Sequence, residues 1–212
     1  MQTPHPEARP RTRRRLSEDA RRTQIVGATV TVIAELGYEN ATLARIAERA
    51  DVSKGLVSHY FTDRDGLMET VARTTLAAMR QTVADSLALD DPVPDVVRAA
   101  IHRAAGLGTT HRAELAALRQ IITSLRHADG TPRLGPADYE ETYRGQEALF
   151  RRGQEDGTLR DFDTRVMAVT YQGAVDTMLT HLHAHPETDA HRYADALADL
   201  VVAAISAHRR AT

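Results

Sequence analysis

Apolar residues recur along the chain with the spacing of helices. Ile25, Val32 and Leu36, for example, fall on one helical face, and no segment shows the alternation typical of a strand. Glycine and proline separate the apolar segments, as at Gly37 and Pro92. The pattern predicts an all-α protein of about nine helices, at residues 17–36, 42–50, 54–61, 65–87, 94–109, 112–127, 136–155, 163–184 and 188–209.

Two short predicted helices near the N-terminus are joined by a tight turn at residues 50–52. The first has the buried-face spacing of Leu43, Ile46 and Ala50, and the hydroxyl of Ser53 can cap the second. In a helix-turn-helix the second helix enters the major groove of DNA, where its exposed side chains reach base edges. The pair therefore predicts a DNA-binding unit.

The second short helix has one apolar and one polar side. The apolar side consists of Val57, Tyr60 and Phe61. The polar side consists of Lys54, Gly55, Ser58 and His59. Taken singly, each of these is an ordinary core or surface residue. Taken as an ordered series, they favour a helix that packs on one side and reads DNA on the other.

The charge distribution agrees with a DNA-binding N-terminus. The formal net charge is -2, but the first 64 residues carry 11 basic and 8 acidic side chains, whereas the remainder carries 16 and 21. A basic front on an acidic body predicts that only the front meets a polyanion. Residues 1–16 are predicted to be a disordered basic arm, which is either a solvated tail or a contact to DNA.

Composition narrows the remaining possibilities. The chain has no cysteine, which excludes disulfides, thiolate zinc sites and a cysteine nucleophile and is typical of a reducing compartment. No apolar run approaches the roughly 20 residues of a membrane span, and no signal-peptide core is present. We therefore expect a cytoplasmic protein with no membrane partner. No phosphate loop, nucleophile elbow or HExxH pair occurs, so neither an enzyme nor a cofactor is predicted.

The segment Arg21–Met68 resembles the DNA-binding domain of the TetR family of repressors. The resemblance rests on GY at 37–38, ATLARIAERADVSKG at 41–55, HYF at 59–61 and a basic residue three positions later. The run VSKGLVSHYFTDRDGL is most similar to the BetI-like subgroup. The resemblance implies a helix-turn-helix domain at residues 17–64 and a helical effector-binding and dimerisation domain at 65–212.

The resemblance also implies roles for residues that match the family pattern. Thr42, Tyr60 and Arg64 would contact phosphates, while Ser53 caps the recognition helix. The predicted DNA-binding residues are Thr42, Ser53, Lys54, Gly55, Ser58, His59, Tyr60 and Arg64. Two positions depart from the pattern. Asp51 replaces a frequent turn glycine, a change that aspartate tolerates better than most residues, and Ser58 replaces a frequent aromatic residue.

The last two helices would form a four-helix dimer interface in such a protein, because two-fold symmetry matches a palindromic operator. Apolar stripes suit this role, although they also suit the core of a single subunit. The stripes comprise Ala168, Tyr171, Val175 and Leu179 on one helix and Leu197, Leu200, Val201 and Ile205 on the next.

A small-molecule effector pocket is implied in the body. Its candidate residues are His102, Tyr139, Tyr143, Phe150, Tyr171 and Gln172. Tyr139 and Tyr143 lie one helical turn apart, which fits either a cage for a quaternary ammonium or ordinary packing. The histidines His181, His183, His185 and His191 suggest a metal site or a polar helix end. No carboxylate or thiolate completes an obvious ligand set, so no metal is predicted.

Together these features predict a sequence-specific transcriptional regulator, a homodimeric repressor that a small-molecule effector of unknown identity releases from double-stranded operator DNA. A constitutive DNA-binding protein with an unresponsive body is the nearest alternative, and an enzyme is the more distant one.

Overall fold

The computed structural model describes residues 17–207, and the predicted basic arm lies outside them. Within this range the chain forms nine α-helices and no strand, which confirms the all-α prediction. The helices are α1 (Glu18–Leu36), α2 (Leu43–Arg49), α3 (Lys54–Tyr60), α4 (Arg64–Ala84), α5 (Val93–Thr110), α6 (Arg112–Ser124), α7 (Glu140–Glu155), α8 (Thr164–Ala184) and α9 (Ala190–Ile205). A 3₁₀ turn at Pro136–Tyr139 leads into α7.

Short polar side chains fix where most helices begin. The hydroxyl of Ser17 accepts a hydrogen bond from Ala20 N (3.2 Å), and the carboxylate of Asp63 accepts one from Gly66 N (2.7 Å). Such caps satisfy amide groups that have no partner inside the helix, and each contributes about 1 kcal/mol. The residues that cap helices in this way are Ser17, Thr42, Ser53, Asp63, Asp163 and Asp189.

Helix α6 ends three residues earlier than the sequence pattern predicts. Leu125 leaves the helix with an extended backbone and is 1% exposed in the core, where Leu134 also packs. The Arg126 guanidinium donates to the carbonyl oxygens of Ile122 and Leu125 and so satisfies part of the helix end. Burying Leu125 and Leu134 therefore outweighs one more turn of helix.

Two buried clusters organise the molecule. The first joins α1–α4 to α6, for example through Ile46, Leu67 and Ile121. The second joins α5, α7, α8 and α9 around Phe150. Because the first cluster continues through α4 and α6, no gap in the buried packing coincides with the predicted domain boundary at residue 64. The helix-turn-helix thus packs directly on part of the body.

The apolar stripes of α8 and α9 mostly serve this subunit's own core. Ala168, Tyr171, Val175 and Ile205 are each less than 9% exposed in the second cluster. Leu179, Leu197 and Val201 pack against the same cluster and are partly buried. Leu200 alone among the predicted stripe residues is strongly exposed. Most of each stripe thus packs within the subunit, the alternative that the sequence left open, and the dimer interface stays a prediction.

Other apolar residues of α8 and α9 face outward. Val166 is 62% exposed, Val169 44% and Leu200 71%, which makes them three of the five large hydrophobic side chains exposed in the described part of the chain. We call these three residues the outer apolar face. No helix in the described part of the chain has the length and hydropathy of a membrane span.

Candidate functional site

Helices α2 and α3 are joined by a tight turn whose backbone is unusual at one residue. Asp51 has a φ of 50°, in the left-handed region that glycine favours, and so confirms that aspartate is tolerated in this turn. Val52 N donates to Ala47 O (3.0 Å), and the Gln24 side chain of α1 donates to Ala50 O (2.6 Å). These bonds fix the angle between the two helices and anchor the turn to α1.

Helix α3 is buried on one side and exposed on the other. Val57 is 0% exposed, and Phe61, directly after the helix, is 5% exposed. The Ser53 hydroxyl caps α3 by accepting a hydrogen bond from Leu56 N at 3.1 Å, as predicted. The exposed residues are Ser53, Lys54, Gly55, Ser58 and His59, and Tyr60 is half-buried. The polar side predicted from sequence is thus presented to solvent as one surface.

A cation from α1 extends this surface. The Arg22 guanidinium lies 5.7 Å from the ring centroid of Tyr60 and 5.5 Å from that of Phe61. The Tyr60 ring in turn contacts His59 edge to face, with centroids 5.3 Å apart. Sequence reasoning did not single out Arg22, because its distance from α3 along the chain gives no sign that α1 brings it there.

Thr42 is the N-cap of α2, and Arg64 is the first residue of α4. The exposed Thr42 hydroxyl accepts from Arg45 N (3.3 Å) and caps α2. Arg64 is turned inward. Its Nε donates to Ala41 O (3.0 Å), a second nitrogen donates to Tyr38 O, and the guanidinium lies 4.2 Å from the Tyr38 ring centroid. Arg64 therefore clamps the loop between α1 and α2.

We expect Arg64→Ala to lower the free energy of unfolding by about 2–3 kcal/mol, because it removes two charge-assisted hydrogen bonds and a cation–π contact. Arg64→Lys should recover only part of this, since an ammonium cannot reproduce the guanidinium fork. Arg45→Ala is the control, because Arg45 makes one exposed bond to the same loop, at Asn40 O (3.1 Å). Chemical denaturation measures all three. An unchanged unfolding midpoint in Arg64→Ala would disprove the clamp.

The helix-turn-helix has a recognisable family signature. Residues 25–71 match the family model described as bacterial regulatory proteins, TetR family. The N-terminal domain therefore carries the DNA-binding helix-turn-helix of the TetR family. The match covers most of α1, all of α2 and α3 and the start of α4, and it confirms the resemblance predicted from sequence.

Relatives of known name match the same region. The HTH-type transcriptional regulator BetI of Escherichia coli (strain K12 / DH10B) is 43% identical over 70 residues, which are 33% of this chain and 36% of BetI. The matched segment thus spans about a third of the length of these regulators. The BetI-like character of the TetR domain is confirmed over that segment.

Solved structures extend the similarity to the whole fold. The fatty acid degradation regulator FadR from Bacillus halodurans superposes with a TM-score of 0.71 at 17% identity, covering 85% of this chain and 97% of FadR. A TetR-family transcriptional regulator from Haemophilus influenzae gives a TM-score of 0.70 at 16% identity, covering 91% and 100% of the two chains. At these identities the similarity concerns the fold alone.

Aromatic residues of the predicted effector site meet around α7 and α8. The rings of Tyr139 and Tyr143 stack with centroids 6.0 Å apart, and Phe150 meets Tyr171 edge to face, also at 6.0 Å. Tyr143, Phe150 and Tyr171 are buried in the second cluster, and Tyr139 packs against it. Gln172 follows Tyr171 on α8. The structure thus brings five of the six predicted residues to one region of the body.

A chain of polar groups runs beside these rings. Gln146 Nε2 donates to Gln172 Oε1 (2.8 Å), and Gln172 Nε2 donates to Asp176 Oδ1 (2.9 Å). Gln146 Oε1 is buried without a hydrogen-bond partner. Burial raises the pKa of Asp176 to about 6. The pKa of Tyr143 is also raised, mainly by burial and additionally by the negative charge of Asp176. The cluster therefore holds a poorly solvated carboxylate and an unsatisfied carbonyl oxygen.

Sequence reasoning missed both Asp176 and Gln146. One signal was available for Asp176, since it lies four residues after Gln172 within a largely apolar helix. Next to the tyrosines lies a cavity of about 250 Å³. Its walls are Leu76 of α4, Ile122 of α6, the segment 134–136, Asp138, Tyr139 and Tyr143.

The sixth predicted effector residue, His102, lies elsewhere. Its Nε2 is 3.1 Å from Asp195 Oδ1, and its ring is 4.7 Å from that of His191. The reason is the packing of α5, which turns this face toward α9 rather than toward α7. Of the other histidines, His181 and His185 lie with ring centroids 4.5 Å apart.

Proposed function

We propose that the protein is a homodimeric repressor that binds operator DNA through α3 and releases it when a small molecule binds in the body. The observation that carries the proposal is the exposed polar surface of α3 within a TetR-family helix-turn-helix. Its buried side is held by Val57 and Phe61, which leaves the opposite side free to enter a major groove. Operator binding would place the protein with the chromosome, in the cytoplasm.

Each side chain of this surface has a proposed task. The residues that would face the groove are Lys54, Gly55, Ser58 and His59. The short side chain of Ser58 would fill less of the groove than a larger residue would. Thr42 and Tyr60 would bind phosphates through their hydroxyls, and Arg22 beside Tyr60 adds positive charge. Arg64 would add a phosphate contact only with the part of its guanidinium that the loop leaves open, since it is 28% exposed.

Dimerisation is proposed through α8 and α9, by way of the outer apolar face. Exposed apolar residues on adjacent helices are candidates for an interaction surface. A two-fold axis through this surface would pair Val166, Val169 and Leu200 with their own copies. Two α3 helices would then meet successive major grooves about 34 Å apart.

The effector is proposed to bind between the tyrosines and the wall formed by α4 and α6. The FadR of Bacillus subtilis, which shares this fold with a TM-score of 0.67, was solved with stearoyl-CoA, so the fold admits a ligand. The carboxylate of Asp176 beside two tyrosine rings favours a positively charged effector here. Because α4 directly follows α3, a ligand that displaces Leu76 would shift the spacing of the recognition helices.

Fluorescence anisotropy on a duplex selected from random sequence tests the DNA-binding part. Lys54→Ala should weaken binding by about 1–3 kcal/mol, because its ammonium would face the groove. Tyr60→Phe, which removes only a hydroxyl, should weaken binding less. Arg103→Ala removes an exposed cation of α5 and is the control. Selection of no sequence, or equal effects of Lys54→Ala and Arg103→Ala, would contradict the proposal.

A further inference from the structure

Two pairs of polar side chains, which we call rungs, connect α5 and α9 along their contact. The Arg98 guanidinium lies 2.6 Å from Asp199 Oδ1, and His102 Nε2 lies 3.1 Å from Asp195 Oδ1. Each step of four residues up α5 corresponds to four residues down α9, so the helices run antiparallel and the rungs are one turn apart. The first rung is an ion pair between an arginine and an aspartate, whereas the second pairs a histidine with an aspartate.

A second imidazole joins the His102 rung. His191 lies one turn before Asp195 on α9, and its Nδ1 is 3.1 Å from Asp195 Oδ2. The two carboxylate oxygens therefore each face a different imidazole. The three ligand atoms, one from each residue, all lie within 4.8 Å of one another. The sequence did not join the three residues, because His102 lies on α5, about ninety residues before His191 and Asp195.

We propose that His102, His191 and Asp195 form a binding site for Zn²⁺ or a related first-row transition-metal ion. Imidazole nitrogens and carboxylate oxygens are ligands that Zn²⁺ takes at about 2.0–2.2 Å, which sets tetrahedral ligand atoms about 3.3–3.5 Å apart. Each imidazole nitrogen lies 3.1 Å from one oxygen of the Asp195 carboxylate, and no two of the three ligand atoms are more than 4.8 Å apart, so side-chain rotations can bring them to this spacing. On metal binding, the imidazole nitrogens that face Asp195 would direct their lone pairs at the ion, and each neutral ring would carry its proton on its other nitrogen.

Solvent reaches the site from one side. The side chain of His102 is 24% exposed, that of Asp195 53% and that of His191 79%. An ion can therefore enter without local unfolding, and water can fill its remaining coordination positions. Since the ligands come from two helices, an ion would tie α5 to α9, the helix that also carries Leu200. The site is separate from α3 and from the tyrosine cluster, so the proposal of metal binding does not depend on the proposed function.

Titration of the full-length, tag-free protein with Zn²⁺ by isothermal calorimetry tests the site, with Co²⁺ absorption as a second probe of nitrogen ligation. We expect one ion per chain, and at a free Zn²⁺ concentration about 100 times the dissociation constant a rise in melting temperature of about 5–10 °C. His191→Ala, at the most exposed ligand, and Asp195→Asn should each weaken binding at least about tenfold.

Two control variants separate this site from other metal-binding groups. Asp199→Asn alters the neighbouring rung, and His185→Ala breaks the close imidazole pair on α8; both should bind Zn²⁺ as the wild type does. Absence of a saturable one-to-one phase would overturn the proposal and leave Asp195 as a hydrogen-bond acceptor only. Binding that survives in His191→Ala and Asp195→Asn, or that is lost equally in the controls, would overturn it as well.

Discussion

Leu200→Arg should convert the protein to a monomer and lower its affinity for operator DNA by roughly 100-fold or more. Leu200 is 71% exposed, and in a two-fold interface it would face its own copy or a close neighbour. Arginine there would bring two like charges together in an environment shielded from water. A monomer holds one recognition helix, and losing the linked second site removes an avidity gain of about 10²–10⁴.

Analytical ultracentrifugation and anisotropy measure the two parts of this prediction. Leu89→Arg is the matched control, because Leu89 is 52% exposed but lies in the loop between α4 and α5. It should leave both the dimer and the affinity unchanged. A dimer that persists in Leu200→Arg would place the interface away from the outer apolar face. A monomer with full affinity would contradict recognition by a two-fold pair.

Asp176→Asn should stabilise the protein at pH 7.5 by about 1–3 kcal/mol, since each unit of pKa shift corresponds to about 1.4 kcal/mol. The pKa of Asp176 is raised to about 6 by burial, so the folded state binds a proton that the unfolded state does not hold between about pH 4 and 6. The charged form therefore lowers stability at neutral pH, and this penalty fades as pH falls through 6. Asparagine has no charge, and its side-chain oxygen can still accept from Gln172.

Urea unfolding of wild type and variant from pH 5 to pH 8 measures the difference, which should shrink as pH falls. Asp85→Asn is the control, because Asp85 accepts the same i−4 glutamine bond, from Gln81, on the exposed end of α4. Asp85→Asn should show no pH-dependent gain in stability. A carboxylate that lowers the stability of a body core is typical of a functional position. Equal stability of wild type and Asp176→Asn at pH 7.5 would remove the case for a poorly solvated charge in the cluster.

The sequence predicted those structural features that depend on interactions between residues close together in the chain. The order of the helices follows from apolar spacing and from breakers such as Gly37. The two sides of α3 follow from a 3.6-residue period within seven residues, and the left-handed turn at Asp51 follows from the tolerance of that residue type. Each of these depends on neighbours within about one helical turn, which a sequence displays directly.

Features that depend on the register between helices were not predictable in this way. Helices α8 and α9 are apolar on more than one side, so periodicity could not tell the buried Ala168 and Tyr171 from the exposed Val166. His102 meets α9 rather than the tyrosines because of how α5 packs. The charge of Arg64 was visible in the sequence, but its two loop carbonyl partners, 23 and 26 residues earlier, were not.

The most direct test of DNA recognition by α3 uses the absence of cysteine from this chain. Ser58→Cys creates a single thiol on the exposed side of α3, to which an iron chelate that cleaves DNA can be attached. Ser86→Cys, an exposed serine beyond the far end of α4, about 30 Å along that helix, is the control. We predict cleavage from position 58 at two sites related by the operator dyad and none from position 86. Bound DNA that is cleaved from position 86, or from neither position, would contradict the account.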